Sequence, residues 1–180
     1  DHGFIPIERS VGGRAVPYTG ETLAFAVAVP HNKTDHAAID TRYEQATTTV
    51  ISALRSLGAD VAVGEPCDSF CPGDHSIRTR GGGKIAGIAQ RVRSDAAIVA
   101  GCLIVTTADA TALASILDVV YAALDVPFDP ASVGSIDEAG GPPDSRQVAL
   151  AIEDAIIHGP WGDGYRVIEP VHVDASSTTD

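Results

Sequence analysis

Cys71 and Lys84 are the two residues of this chain best equipped for covalent chemistry. Cys71 sits in Ser69-Phe70-Cys71-Pro72-Gly73, where a Pro-Gly turn exposes a thiol able to attack a carbonyl carbon. Lys84 follows Gly81-Gly82-Gly83 and opens the apolar run Ile85-Ala86-Gly87-Ile88-Ala89. Lysine occurs only twice, as Lys33 and Lys84, against ten arginines, so a lysine kept beside a glycine turn points to a need for its ammonium. A nucleophile that accepts an acyl group and a cation that steadies the developing oxyanion together describe acyl transfer.

Other readings of the same residues stay open. A single loop cysteine is often an inert thiol, and a lysine at a strand edge can serve only to deter edge pairing. Cys67-x3-Cys71-x3-His75, with Cys102 as a fourth donor, has the ligand types of a zinc site, although structural zinc usually uses tighter C-x2-C knuckles. Cys102, inside an apolar run, reads as a small core residue. His75 and Lys84 are the cations that would favour a Cys71 thiolate. Gly87 and the small Ala89 leave room for a ligand to lie along the strand. A second candidate is Arg9-Ser10-Val11-Gly12-Gly13-Arg14-Ala15-Val16, where glycines let the backbone approach a ligand and an arginine can meet a carboxylate or phosphate. Taken alone, that segment also reads as a tight turn with solvated arginines.

The elements that must position these groups follow from periodicity. Alternation and turn residues predict strands over residues 5–9, 23–29, 60–63, 76–80, 84–93 and 96–106. Helical spacing predicts helices from an N-cap at Asp35 to about Leu57, over 108–124 and over 143–157. Gly81-Gly82-Gly83 reads as a hairpin turn and meets neither nucleotide-binding fingerprint. In a plain hairpin Cys71 would lie roughly 30 Å from Lys84, so the two meet only if the Pro72-Gly73 loop folds back over the sheet. Strands in hairpins interrupted by helices predict an α+β fold with a mixed, largely antiparallel sheet and flanking helices. Residues 1–159 form the expected catalytic domain and residues 160–180 a C-terminal tail.

Bulk properties bound the rest. The 180 residues suffice for one domain, and 44% hydrophobic with 20% charged residues excludes a disordered chain. The formal charge of −12, with 17 Asp against 7 Glu, argues against nucleic-acid or anionic-membrane binding and suits a salt-rich cytoplasm. No apolar run has membrane-spanning length, no signal peptide is visible, and three cysteines fit a reducing cytosol. There is no methionine, even at position 1, which predicts an upstream segment that was removed or left out.

Together the two motifs resemble the lipoate–protein ligase and octanoyltransferase family, which shares its fold with biotin–protein ligases. The family's Arg-x-[Ser/Thr]-Gly-Gly-x-Ala-Val pattern is met at residues 9–16, with Ser10 directly after Arg9 and Val11 before Gly12. Gly20, Leu23 and Phe25 continue the similarity. The lysine motif Gly-[Lys/Arg]-Lys-x-x-Gly-x-[Ala/Ser]-Gln is met at residues 83–90, with Gly83 in the basic position. The similarity runs from Ile5 to about Gly134, and the helix and strands that the family carries before its first motif are absent. Phe70-Cys71-Pro72-Gly73 resembles the cysteine-dependent, octanoyl-transferring branch.

The resemblance implies that Cys71 holds an acyl thioester and that Lys84 contacts the acyl carbonyl. Arg9, Ser10, Gly12, Gly13, Arg14, Ala15, His75, Gly87 and Ala89 would bind substrate. The implied partners are an acyl donor protein and lipoyl-domain proteins, such as glycine cleavage H protein and the acyltransferase subunits of 2-oxoacid dehydrogenases. No cofactor is required on this reading. An ATP-dependent ligase, using Mg and a lipoyl-AMP intermediate, is the alternative, and a non-catalytic lipoyl-domain-binding or zinc-holding module is a second. The expected phenotype of Lys84→Ala is a loss of turnover larger than its loss of stability.

Overall fold

The computed structural model describes residues 4–8, 13–31 and 38–161. Five strands form one sheet: β1 (Thr22–Pro30), β2 (Val61–Val63), β3 (Ile77–Thr79), β4 (Lys84–Val92) and β5 (Ala96–Ile104). Their spatial order is β1-β5-β4-β3-β2, and every pairing between them is antiparallel. Three helices complete the fold: α1 (Ala38–Ser56), α2 (Thr107–Ala123) and α3 (Ser145–Ile157). A single 3-10 turn, Pro130–Ser132, follows α2. This is the α+β architecture expected from the sequence.

The alternation of β1 explains its two faces. Leu23, Phe25, Val27 and Val29 turn inward, while Ala24, Ala26 and Ala28 between them are exposed. Pro30 ends the strand at the sheet edge, where its missing N–H disrupts no ladder. Helix α1 stops at Gly58, whose φ of +91° and the Ala59 N–H bond to Leu54 O form a Schellman closure. Asp144 caps α3 by accepting from the Arg146 and Gln147 N–H groups, and Thr106 caps α2 through the Asp109 N–H. Helices α1 and α3 pack together over one face of the sheet, burying Val50, Leu54, Ile77, Leu103, Val148 and Ile152. Helix α2 builds a separate cluster in which Leu113, Leu117 and Tyr121 enclose Phe70 and Ile104.

Three expectations are adjusted. Residues 4–8 form no strand; they pair with no strand among the described residues, and Phe4, Ile5 and Ile7 are exposed. Asp35 lies outside the described residues, and α1 is described from Ala38. Trp161, two residues into the segment expected as a tail, is buried against Val27, Val99 and Ala46. No helix among the described residues is long and apolar enough to cross a membrane.

The glycine run does more than turn the chain. Gly83 crosses Gly134 so closely that a Cβ on either would stand 2.8 Å from backbone of the other. The crossing is tied by the Gly134 N–H bond to Lys84 O and by a parallel bridge between Lys84 and Val133. Gly134→Ala is therefore expected to destabilise by about 1–3 kcal/mol. Gly20→Ala, where nothing lies within 4 Å of the added carbon, should be neutral or slightly stabilising. Thermal and urea melts of the two variants check the contrast.

Candidate active site

Lys84 reaches the site because β4 carries a bulge. Arg78 pairs with Lys84 and Ile77 with Ala86, leaving Ile85 as an extra residue. Ile85 and Ala86 are consequently both buried in the core under α1 and α3. The bulge reverses the strand's alternation, so Lys84 shares a face with Gly87, and a Cβ on Gly87 would lie 3.8 Å from Lys84 Cε. Paired without the bulge, the same residues would place positions 84 and 87 on opposite sides.

The Lys84 side chain is fully buried, which commits its ammonium to finding partners. It donates to Glu65 Oε2 at 3.0 Å, Phe70 O at 2.9 Å and Cys71 O at 2.8 Å, and stands 5.0 Å above the Phe70 ring. An ammonium has three N–H donors, and here three groups accept them. Glu65 in turn accepts from Ser69 Oγ and from the Gly73 N–H at 3.1 Å. Burial alone would raise the Glu65 carboxyl; hydrogen bonds from Ser69, Ser76 and Lys84, with the Lys84 charge, outweigh it and hold it below the usual carboxylate range. Burial pushes the Lys84 ammonium down, against the raising effect of Glu65. The loop from Gly64 to Ser76 thus closes around an ion pair, and the Gly64 N–H bond to Ser76 O seals its base.

This wrapping resolves the distance problem posed by the hairpin. The loop folds back, and Cys71 lies against Lys84 through its carbonyl. Cys71 is half-buried with φ at +43°, a left-handed conformation that a residue bearing a Cβ adopts rarely. Its N–H donates to Tyr121 Oη at 2.6 Å, and its Sγ accepts from the Arg14 N–H at 3.1 Å. Tyr121 Oη also bonds Ala15 O at 3.4 Å. The two sequence motifs therefore meet at Cys71, one on its sulfur and one on its carbonyl, and Gly13, with φ at +112°, makes the turn that precedes the Arg14 amide. Arg9, Ser10 and Gly12 lie outside the described residues.

Gly87 and Ala89 extend the site along the sheet. Gly87 pairs with Cys102 and Cys102 with Ala24; Ala89 pairs with Ala100 and Ala100 with Ala26. Directly opposed residues share a face, so these rows form a floor of small side chains running from the Lys84 end of β4. His75 stacks flat on Tyr43 of α1, with ring centroids 4.4 Å apart, and so anchors the far end of the Cys71 loop. Cys67 is exposed and Cys102 buried, and among the described residues no three His, Cys, Asp or Glu groups gather to hold a metal. The residues of the C-x3-C-x3-H spacing are not gathered as a ligand set here. An open groove of about 440 Å³ behind the glycine turn, lined by Asp60, Thr79, Arg80 and Glu138, contains neither Cys71 nor Lys84.

Sequence reasoning missed Glu65 and Tyr121. A buried lysine demands a carboxylate, and Glu65 is one of the few acids near the cysteine loop. A tyrosine continuing the Leu113, Leu117 stripe of α2 signals a hydroxyl that must find a partner in the core. The ion pair also changes the expectation for Lys84→Ala. Removing the lysine leaves Glu65 without its counter-charge, so the variant should lose about 3–5 kcal/mol of stability, and adding Glu65→Gln should restore part of it. The acid limb gives a second measurement. Because the folded Glu65 carboxyl is lowered, its contribution is complete above about pH 4.3 and fades as pH falls through the folded value. Glu65→Gln should have lower stability at neutral pH and a flatter loss below about pH 4.3, read by urea titration across pH.

With this geometry in place, three comparisons agree on kinship. The family model described as lipoyl protein ligase A/B catalytic domain matches residues 1–157. Two curated relatives are octanoyl-[GcvH]:protein N-octanoyltransferases. That of Exiguobacterium sp. is 33% identical over 99 residues, covering 54% of this chain and 34% of the relative. That of Geobacillus kaustophilus is 36% identical over 97 residues, covering 53% and 34%. The matched stretch is thus about a third of the length of these relatives. Among solved structures, lipoate-protein ligase A bound with ATP superposes with a TM-score of 0.62 at 23% identity, covering 83% of this chain and 56% of that one. The bipartite lipoate protein ligase of Thermoplasma acidophilum gives 0.60 at 21% identity, covering 83% and 55%. At these identities the structural likeness speaks for the fold, and the family match covers most of the sequence. The chain belongs to the lipoyl protein ligase A/B catalytic domain family.

Proposed function

We propose that this chain is an acyltransferase that carries an octanoyl or lipoyl group on Cys71 as a thioester and delivers it to the lysine of lipoyl-domain proteins. The observation that carries the reading is the meeting at Cys71 of the Arg14 amide, on its sulfur, and the buried Lys84 ammonium, on its carbonyl. The names of the curated relatives support octanoyl as the group and an H-protein-type lipoyl domain as the donor. Glycine cleavage H protein and the acyltransferase subunits of 2-oxoacid dehydrogenases are the partner class.

The chemistry runs in two exchanges. Cys71 gives up its thiol proton as its sulfur attacks the donor's acyl carbonyl, a C–S bond forms, the C–N bond to the donor lysine breaks, and that amine leaves with the proton the thiol released. The amine of the acceptor lysine then attacks the thioester, the C–S bond breaks, and the thiol is regenerated. A thioester acylates an amine without further activation, so neither ATP nor a metal enters. The Arg14 amide, 3.1 Å from Sγ, is a donor suited to sulfur bearing negative charge. Lys84 meets the acyl carbonyl by exchanging the Phe70 or Cys71 carbonyl for that of the substrate, keeping Glu65 as its counter-charge. The floor through Gly87 and Ala89 receives the acyl chain, each buried methylene contributing about 0.8 kcal/mol. His75, Arg14 and Ala15 frame the approach to the thiol. The reaction belongs in the cytoplasm, where a reducing environment preserves Cys71, and the acidic composition suits high salt.

The test is intact-mass analysis of the protein incubated with octanoylated H protein in the absence of ATP. One octanoyl group should be gained, hydroxylamine should remove it, and Cys71→Ala should show none while keeping the wild-type melting temperature. Unchanged transfer by Cys71→Ala would overturn the thioester route. An adduct that appears only with ATP, Mg and free lipoate would assign the chain to the ligase class instead.

A further inference from the structure

Tyr121 is wholly buried on the inner stripe of α2, and its hydroxyl reaches beyond the helix to two distant segments. It accepts from the Cys71 N–H at 2.6 Å and bonds Ala15 O at 3.4 Å, joining segments 50 and 106 residues away in sequence. Both segments carry the thiol's immediate surroundings: one bears Cys71, and the other bears the Arg14 amide that donates to Sγ. The ring itself needs only apolar company, which Phe128 supplies at a centroid distance of 5.2 Å, so phenylalanine would fill the same space.

Cys71 has an unusual need for such a partner. A left-handed φ on a residue with a Cβ is strained and persists only where its surroundings over-determine it. The carbonyl is taken by Lys84 Nζ and the amide by Tyr121 Oη, from opposite sides of the residue. We propose that Tyr121 is the positioning residue of this site, its hydroxyl locking Cys71 in the left-handed conformation and holding the Arg14–Ala15 segment so that the Arg14 amide stays on the sulfur. This deepens the acyl-transfer reading and rests on it for the consequence in turnover; the positioning itself is measurable without it.

Tyr121→Phe removes the oxygen and keeps the ring. The expected result is a fall of about tenfold in acyl-enzyme formation at saturating octanoylated H protein, the worth of one hydrogen bond, with the half-saturating donor concentration unchanged. Deuterium exchange of the peptide spanning residues 69–73 should rise by a similar factor, and alkylation of Cys71 by iodoacetamide, followed by peptide mass, should slow. Phe128→Leu, which loosens the ring's packing but spares the hydroxyl, should leave all three readouts near wild type. Wild-type acylation and exchange in Tyr121→Phe overturn the proposal, as do losses of equal size in Phe128→Leu, since these would mean that packing alone is at work. If the wild type forms no acyl-enzyme, the transfer reading falls, while exchange and alkylation still decide the role of Tyr121.

Discussion

The burial of one ammonium organises this site. A lysine removed from water needs a counter-charge and an acceptor for each N–H, and the chain supplies these at Lys84 by folding a loop over it. Glu65 provides the charge, Phe70 and Cys71 provide carbonyls, and Ser69, Ser76 and the Gly73 amide in turn satisfy Glu65. The shape of the loop is therefore the shape of a solvation shell made from protein. Cys71 is carried to its place as part of that shell, since its own carbonyl is one of the ligands. The ammonium and the cysteine are positioned by the same bonds, and neither can be moved without disturbing the other.

The remaining elements supply what the ion pair cannot. Helix α2 brings Tyr121 from the side opposite Lys84, and its apolar stripe anchors Phe70 next to the cysteine. The sheet contributes a face with little side-chain volume, because Ala24, Ala26, Gly87, Ala89 and Ala100 fall in register across three strands. Helices α1 and α3 bury the other face and hold it rigid. Ordinary core packing thus sets up one covered surface and leaves the small-residue surface for other use.

The parts of this arrangement that were readable in the sequence were those written in local patterns. Alternation of Val, Ala and Leu marked β1 and β5, glycine turns marked the hairpin, and i, i+4 stripes marked all three helices to within a few residues. Cys71 and Lys84 stood out because their neighbours and their scarcity were visible in place. Glu65 and Tyr121 did not, because their roles exist only across separations of 19 residues to Lys84 and 50 residues to Cys71. The bulge at Ile85 was also hidden, since a run such as Lys-Ile-Ala-Gly-Ile-Ala does not show where pairing slips. Residues 5–8 failed for the opposite reason: a good strand pattern has no force without a neighbour to pair with, and they have none among the described residues.

That bulge gives the site a parity. Ile85 is one residue too many for the ladder, and because the bulge leaves it out of the count Lys84 and Gly87 look out on the same side. Were the same residues paired as a regular strand, with Ile85 taking its place in the ladder, the ammonium would turn toward the helices and away from the cysteine. Deleting Ile85 would instead iron out the bulge and leave Lys84 on the side of Gly87. The side on which the ammonium emerges is thus a matter of pairing register, decided by which residue the ladder skips.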